Sequence, residues 1–253
     1  MLYCVRVAAL YDIHGNLPAL ESVMEEVRNI EQLDAIVIGG DILPGPMPHE
    51  CMDFLMSLDL PVTFIMGNGD REVLARVRGS SPNSSLPKQA QAPIDWTAQW
   101  LGSRHEQAMA FWGKKILLEV AGMGEVLFCH ATPNSDTENF TRITPEEQLI
   151  QIFKDCGTGV VVCGHTHMQF DRKIGKVRVI NAGSVGMPFG PPGAYWLVLG
   201  PEGAELRRTD YDLELAAARI RDTDYPQAND FAEHYVLHPP TEEAMLALFS
   251  GKR

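Results

Sequence analysis

The chain has 253 residues, of which 21 are Lys or Arg and 33 are Asp or Glu, so its formal net charge is −12. A surface this acidic argues against sequence-independent binding to duplex nucleic acid or anionic membranes, which requires clustered cations. The longest apolar runs have the length of strands, so no membrane span is expected. A small anionic substrate is still compatible with this charge, because bound divalent ions would make a site locally positive.

The first third of the chain alternates the patterns of strands and helices. We predict strands at residues 3–10, 35–38 and 62–66, and helices from residue 16, at 50–58 and at 71–77. Asn16 followed by Pro18 is typical of a helix start. This β-α-β-α-β order predicts parallel strands, and the ligand sites of such sheets lie beyond the carboxyl ends of the strands.

The rest of the chain predicts a loop, a hairpin, further strands and a helical end. Residues 79–93 are rich in Ser, Pro, Gln and Ala and predict an exposed loop, followed by one or two helices within 96–112. Strands at 116–120 and 125–129 predict a β-hairpin, and Thr144 with Glu147 predicts a helix start with a capping box. Further strands are expected at 160–163, 177–180, 195–199 and 204–208, and helices at 213–220, 228–234 and 242–249.

The cysteines are scattered along the chain, odd in number and without a CxxC pair: Cys4, Cys51, Cys129, Cys156 and Cys163. This usage indicates reduced thiols, and the N-terminus reads directly into a strand rather than into a signal peptide. Both observations predict a cytoplasmic location. Two of the cysteines adjoin the motifs described next, where we interpret them as small apolar residues of buried strands.

The segment 160–167 is the most informative motif, because an apolar strand ends at a glycine and then presents two histidines. In extended chain, residues two apart point to the same side, so His165 and His167 form a ready pair of metal ligands. Earlier apolar runs also end in ligand-type residues: Asp12 and His14, Asp41, Asn68 and Asp70, and His130. The sequence therefore predicts a metal site built from the ends of several strands.

The types of ligand restrict the metal. Mixed carboxylate, imidazole and amide groups suit Mn, Fe, Zn or Ni better than Ca or an all-oxygen Mg site. The absence of paired thiolates argues against a structural zinc site. Two such ions can clamp an in-line displacement at phosphorus and generate hydroxide near neutral pH. We therefore expect two divalent transition-metal ions per chain, with Mn preferred, and a small phosphate-ester substrate.

This ordered set of motifs resembles the calcineurin-like metallophosphoesterase superfamily, and most closely its small bacterial and archaeal phosphodiesterase-like branch. The resemblance implies an α/β fold, a four-layer αββα sandwich of two mixed β-sheets flanked by helices. It also implies one domain over residues 1–253, with a small helical cap at about 79–112. Residues 209–253 match no family motif and are interpreted as a C-terminal helical extension.

The resemblance also implies roles for individual residues. Asp12, His14 and His167 would hold one metal, Asp41 would bridge, and Asn68, His130 and His165 would hold the other. Asp41, Asn68 and His130 would be catalytic, with a hydroxide between the metals attacking phosphorus in line. Arg71, together with Asn68, could bind the substrate phosphate, although an ordinary surface arginine fits the sequence equally well.

Three functional readings stay open at this point. The first is a phosphodiesterase, the second is a phosphomonoesterase acting on phosphoprotein or nucleotide, and the third is a scaffold of the same fold that binds protein partners. The chain departs from the family at Gly69, where many members carry a histidine that assists the leaving group. His49 and His105 are sequence candidates for that role, and we interpret both as exposed histidines.

Overall fold

The computed structural model describes residues 3–81, 86 and 88–251. The strands are β1 Tyr3–Cys4, β2 Arg6–Leu10, β3 Leu33–Ile38, β4 Val62–Phe64, β5 Lys115–Val120, β6 Gly124–Cys129, β7 Val160–Cys163, β8 Phe170–Ile174, β9 Val177–Asn181, β10 Ala194–Gly200 and β11 Gly203–Thr209. The helices are α1 Leu17–Val27, α2 Pro48–Met56, α3 Asn68–Val77, α4 Lys88–Gln99, α5 Ser103–Met109, α6 Glu146–Phe153, α7 Leu213–Arg221, α8 Ala228–Phe231, which continues as a π-helical turn Ala232–Leu237, and α9 Glu242–Phe249. No described helix combines the length and the apolar character that a membrane span requires.

The described strands form two mixed sheets. The five-stranded sheet has the order β11-β10-β2-β3-β4, in which β2, β3 and β4 are parallel, as the β-α-β-α-β pattern predicts. The six-stranded sheet has the order β1-β5-β6-β7-β9-β8, with β6, β7 and β9 parallel and the predicted hairpin at β5 and β6. The carboxyl ends of two sets of parallel strands therefore define where a shared site can form.

Side-chain alternation along the strands generates four layers. In β2, Val7 and Ala9 face the core between the sheets, whereas Ala8 and Leu10 face helices on the outer side. The outer side of the six-stranded sheet packs against Phe153 and other residues of α6 and its surroundings. Both sheets are thus covered on both faces, which is why their central strands read as continuous apolar runs. The αββα sandwich expected from the sequence is confirmed.

The single strand predicted at residues 3–10 is wrong, because it divides into two strands of different sheets. The carboxylate of Asp34 accepts hydrogen bonds from the backbone N–H groups of Val5 and Arg6, and the chain bends there. As a result β1 pairs with β5 in one sheet while β2 pairs with β3 in the other. The two sheets are therefore connected covalently at their first strands.

Three other details differ from the sequence predictions. Helix α4 begins at Lys88 and contains Pro93, so the predicted loop 79–93 is too long, and its residues 82–85 and 87 lie outside the described ones. Helix α6 begins after Pro145 without a capping side chain, while the Thr144 hydroxyl accepts instead from the Thr141 N–H at 2.9 Å. Strand β8 has no sequence prediction, because its Asp-Arg-Lys centre lacks an apolar run. The interpretation of 79–112 as a cap and of 209–253 as an extension stays a prediction.

The contact between the two sheets gives a test of the fold. Phe128 lies fully buried between them, so Phe128→Ala should lower the free energy of unfolding by about 3–5 kcal/mol through lost burial and a cavity. Phe111 is 89% exposed, and Phe111→Ala is the matched control, expected to change stability by less than about 0.5 kcal/mol. Urea denaturation measures both variants. Equal losses of stability in the two variants would contradict the position of Phe128 between the sheets.

Candidate metal centre

The residues predicted as ligands come together at the carboxyl ends of β2, β3, β6 and β7. Backbone hydrogen bonds join the segments that follow these strands: the Asp12 N–H donates to the Gly40 carbonyl at 3.0 Å, and the Gly164 N–H donates to the His130 carbonyl at 2.8 Å. Gly164 permits this approach, because a Cβ there would lie 2.5 Å from Asp12 Oδ2. The site is therefore built where the two sheets meet.

The backbone of the site is strained. Five candidate ligands adopt a left-handed conformation with φ between 47° and 67°: Asp12, His14, Asp41, His165 and His167. Among the described non-glycine residues, only Gln32 shares this feature. Such a conformation costs roughly 1–3 kcal/mol per residue and persists where the surrounding structure enforces it. The strain is concentrated at these positions because it turns their side chains out of the strand direction and toward one another.

One group of ligand atoms comprises Asp12, His14 and His167, all within 4.8 Å of one another. The two Nε2 atoms of the histidines lie 3.4 Å apart, and His167 Nε2 lies 3.5 Å from Asp12 Oδ1. The other oxygen of this carboxylate, Oδ2, accepts the His165 N–H at 2.8 Å. Asp12 thus uses one oxygen for the backbone and directs the other into the centre.

A second group comprises Asp41, His130 and His165, again within 4.8 Å. The two oxygens of Asp41 are used in the same way as those of Asp12. Oδ1 accepts the Gly69 N–H at 2.7 Å, while Oδ2 faces inward. This Oδ2 lies 3.5 Å from His130 Nε2 and 3.9 Å from His14 Nε2. A single carboxylate oxygen therefore adjoins ligand atoms of both groups, which is the position that a bridging ligand requires.

Backbone carbonyls orient three of the histidines. His14 Nδ1 lies 3.3 Å from the Pro44 carbonyl, His130 Nδ1 lies 3.0 Å from that of Gly39, and His167 Nδ1 lies 2.6 Å from that of Met187. A carbonyl oxygen only accepts, so Nδ1 carries the proton in each case and Nε2 faces the centre. Metal-binding histidines in proteins are held in this way, with the other ring N–H bonded to a carbonyl or carboxylate.

Two buried atoms of the centre lack a partner. Asp12 Oδ1 and His165 Nε2 find no hydrogen-bond partner among the described residues, although burying an unpaired polar atom is costly. The Nε2 atoms of His14 and His167 lie 3.4 Å apart, close enough to share a proton or to bind one cation. The donor set of carboxylates and imidazoles therefore fits two divalent transition-metal ions.

The pKa values of the second group are shifted in a consistent pattern. Burial, reinforced by the neighbouring His130, lowers the pKa of His165 to about 4, so its imidazole is neutral at pH 7. Burial opposes protonation of His130, but the Asp41 carboxylate outweighs it and raises the pKa of His130 to about 10. Without a cation, a proton therefore occupies His130 Nε2, and a cation would have to displace it. Affinity for metal should rise with pH.

Asn68 lies beside this second group, at the start of α3. The amide atom nearest the centre is 3.1 Å from His130 Nε2, 3.0 Å from His165 Nδ1 and 2.9 Å from the Asp136 carbonyl. The Asp136 carbonyl is an acceptor and fits the amide nitrogen, whereas a protonated His130 Nε2 donates and fits the amide oxygen. A ligand role for Asn68 requires its amide oxygen to face the histidines, and it stays a prediction.

The guanidinium of Arg71 is held beside the centre by two carboxylates. Nε donates to Asp136 at 2.7 Å and a terminal nitrogen donates to Glu72 at 2.6 Å, while 42% of the side chain is exposed. Its positive charge is therefore largely offset within the protein. Arg71 lies three residues after Asn68 in α3, and its binding of a substrate phosphate stays a prediction.

Asp70 is a structural residue of the site whose role the sequence did not indicate. Its buried carboxylate accepts the N–H groups of Asp41 at 2.7 Å, Leu43 at 3.0 Å and Gly67 at 3.0 Å. Burial and the nearby Asp41 carboxylate raise the pKa of Asp70 to about 7. The only available signal was its position in the first turn of α3, where an acidic side chain caps free N–H groups. Asp70 ties the loop after β3 to the start of α3.

The position of the missing histidine is filled by backbone. A Cβ on Gly69 would lie 2.3 Å from the Leu43 carbonyl oxygen, so the path of the loop after Asp41 excludes a side chain there. His49 stacks on Trp100, with ring centroids 5.8 Å apart. His105 is buried rather than exposed. Its Nδ1 accepts the Gly102 N–H, and its Nε2 lies 2.9 Å from Asp53. Neither histidine is placed with the ligand groups.

Comparison with known proteins identifies the class to which this fold and centre belong. The calcineurin-like phosphoesterase superfamily domain matches residues 5–200, so the chain belongs to this superfamily. An uncharacterized protein of Methanocaldococcus jannaschii is 27% identical over 234 residues, which are 85% of this chain and 91% of that protein. The crystal structure of a metallophosphoesterase from Sphaerobacter thermophilus shares the fold, with 22% identity and a TM-score of 0.69 over 92% of this chain and 100% of that one.

One relative carries a named activity. The symmetrical bis(5'-nucleosyl)-tetraphosphatase of Yersinia pestis is 27% identical over 143 residues, which are 55% of this chain but only 47% of that enzyme. The chain thus matches less than half of this relative's length. The superfamily and this relative make the chain a phosphoester hydrolase.

The filled space at Gly69 predicts the effect of inserting a side chain. Gly69→Ala should destabilise the fold by roughly 1–3 kcal/mol, because backbone rather than a flexible side chain must move, and Gly69→His should do so at least as strongly instead of supplying a proton donor. Gly159→Ala is the control, since a Cβ there meets nothing within 4 Å. Thermal and urea unfolding measure all three variants. A stable Gly69→His protein would show that the loop moves aside.

Proposed function

We propose that the chain is a dinuclear, metal-dependent phosphodiesterase. The observation that supports this most directly is the position of Asp41 Oδ2, which lies 3.5 Å from His130 Nε2 in one group and 3.9 Å from His14 Nε2 in the other. Two ions that share this oxygen would be close enough to act on a single phosphoryl group. Mn is the preferred ion for this mixed donor set, with Fe, Zn and Ni as alternatives.

The protein's own residues would have two tasks in the reaction, which are to hold the ions and to orient the imidazoles. Asp12, His14 and His167 would hold one ion, and His130, His165 and the amide oxygen of Asn68 would hold the other, with Asp41 between them. Bound there, the ions would lower the pKa of water to near neutrality and offset negative charge on the phosphoryl oxygens. The carbonyl-bound Nδ1–H groups keep the imidazoles of His14, His130 and His167 in the required orientation.

The charge around the centre favours a diester over a monoester. A phosphate diester carries one negative charge, whereas a monoester carries nearly two at neutral pH. Arg71, the cation on α3 beside the centre, is already paired with Asp136 and Glu72. The remaining positive charge at the scissile phosphorus would come from the ions, which suits the less charged substrate. The tetraphosphatase relative supports a nucleotide-like substrate.

The remaining features of the proposal concern location and partners. The cysteines are free thiols, four of them buried, which supports a reducing cytoplasmic location. A scaffold function is disfavoured by the buried, unpartnered ligand atoms of the centre, because a binding surface has no use for them. A phosphomonoesterase would be recognised by preferential hydrolysis of 4-nitrophenyl phosphate over the corresponding diester.

Removal of the shared carboxylate charge tests the proposed function. Asp41→Asn in Mn-loaded protein should lower kcat/KM for bis(4-nitrophenyl) phosphate by more than about 100-fold, since loss of an outer partner of a ligand already costs about 10–100-fold. Asp155→Asn is the control, because its side chain is 85% exposed. The amount of metal bound by Asp41→Asn, measured by atomic emission, should fall below two ions per chain. Full activity of Asp41→Asn would refute the assignment.

The two histidines of the Gly-His-Thr-His motif should affect different ions. His167→Ala should lower the affinity for the ion held by the Asp12 group by more than about 100-fold. His165→Ala should lower the affinity for the ion held by the Asp41 group by a similar factor. The control is His238→Ala, at a side chain that is 75% exposed. Calorimetric titration with Mn distinguishes the two binding events. A variant that binds both ions with wild-type affinity would show that its histidine is not a ligand.

A further inference from the structure

A small cavity of about 240 Å³ lies between the start of α2, helix α4 and the segment that follows α7. Its lining comprises Pro46, Pro48, His49, Glu50, Trp96, Trp100, Asp222, Thr223 and Asp224. None of these residues belongs to either group of candidate metal ligands. The last three lie beyond residue 200, where the match to the superfamily domain ends. The cavity is therefore a feature of this chain rather than of the shared domain.

Two tryptophans at the end of α4 make the cavity aromatic. The rings of Trp96 and Trp100 have their centroids 5.5 Å apart. Trp96 packs edge-to-face against the buried Tyr225 at 5.3 Å, and the ring of His49 stacks on Trp100 at 5.8 Å. These contacts hold the two indoles in place, while 46% of Trp100 stays exposed. The face of an indole ring attracts a cation that lies within about 6 Å of its centre.

The charged side chains of the lining are acidic. Glu50, Asp222 and Asp224 contribute carboxylates, and the lining contains neither lysine nor arginine. Within the part of the chain that the structure describes, no cationic side chain pairs with Asp222 or Asp224. The carboxylates and the indole faces therefore produce an electrostatic potential of the same, negative sign, which attracts a cation and repels an anion.

Two buried atoms of the lining lack a hydrogen-bond partner among residues 3–81, 86 and 88–251: His49 Nδ1 and Glu50 Oε2. They lie 3.2 Å apart, but not in the geometry of a hydrogen bond. A buried carboxylate oxygen without a partner is costly, because it has lost its water without gaining a donor. A cation in the cavity would offset this cost through its charge alone.

We propose that this cavity binds a small organic cation that carries an alkylated ammonium group, of the kind found in choline. The alkyl groups of such an ion contact the tryptophan faces, and its charge is offset by the carboxylates of Glu50, Asp222 and Asp224. A strongly hydrated inorganic cation would leave the indole faces unused. The site goes beyond the proposed function, because it requires neither the metal ions nor a phosphate ester.

Calorimetric titration of the full chain with choline chloride, at constant ionic strength, tests this proposal. We expect a dissociation constant of about 1 mM or tighter, the same with and without Mn, as for a ligand of few atoms. The neutral isostere 3,3-dimethyl-1-butanol should bind at least about 5-fold more weakly, because it lacks the charge. Absence of choline binding, equal binding of the neutral isostere, or tighter binding of adenosine than of choline would each overturn the proposal.

Variants of the lining locate the binding site. Trp100→Leu keeps an apolar side chain but removes the indole face, and it should weaken choline binding by roughly 5-fold. The double variant Asp222→Asn with Asp224→Asn changes charge but hardly shape, and it should weaken binding by a similar factor, roughly 5-fold. Phe111→Leu and Asp155→Asn are the matched controls, since these side chains are 89% and 85% exposed outside the lining. Unchanged binding by either test variant, or weaker binding by a control, would overturn the cavity as the site.

Discussion

The buried carboxylates of Asp12 and Asp41 are the constraint on which the site depends. Each gives one oxygen to a backbone N–H, from His165 and Gly69 respectively, and directs the other into the centre. A buried charge is tolerated only when it is paired and hydrogen-bonded. The inward oxygens therefore require the surrounding imidazoles, and the left-handed backbone conformations place those imidazoles within reach.

The sequence predicted that the candidate ligands lie together, because each ends an apolar run and parallel strands bring such ends to one edge. It predicted less where a single tertiary contact decides the path of the chain. The Asp34 carboxylate divides the first strand between two sheets, and the Leu43 carbonyl excludes any side chain at Gly69. Neither contact has a local signature, since the partners are about 26 to 30 residues apart in sequence. The start of α4, residues 88–93, was assigned to the loop because proline usually interrupts helices.

Membership of the superfamily constrains the chemistry of the centre more than the choice of substrate, because function depends on the groups placed around a shared fold. In this chain the positive charge of Arg71 is offset by the carboxylates of Asp136 and Glu72.

Each ligand group also draws on both sheets. Asp12 and His14 follow β2 in one sheet, while His167 follows β7 in the other; likewise Asp41 follows β3, and His130 follows β6. An ion in either group would therefore cross-link the halves of the sandwich, and its binding free energy would add to the stability of the fold. At a free concentration 100 times its dissociation constant, one ion contributes about 2.7 kcal/mol. The supply of metal would then affect the stability of the folded protein as well as its catalytic rate.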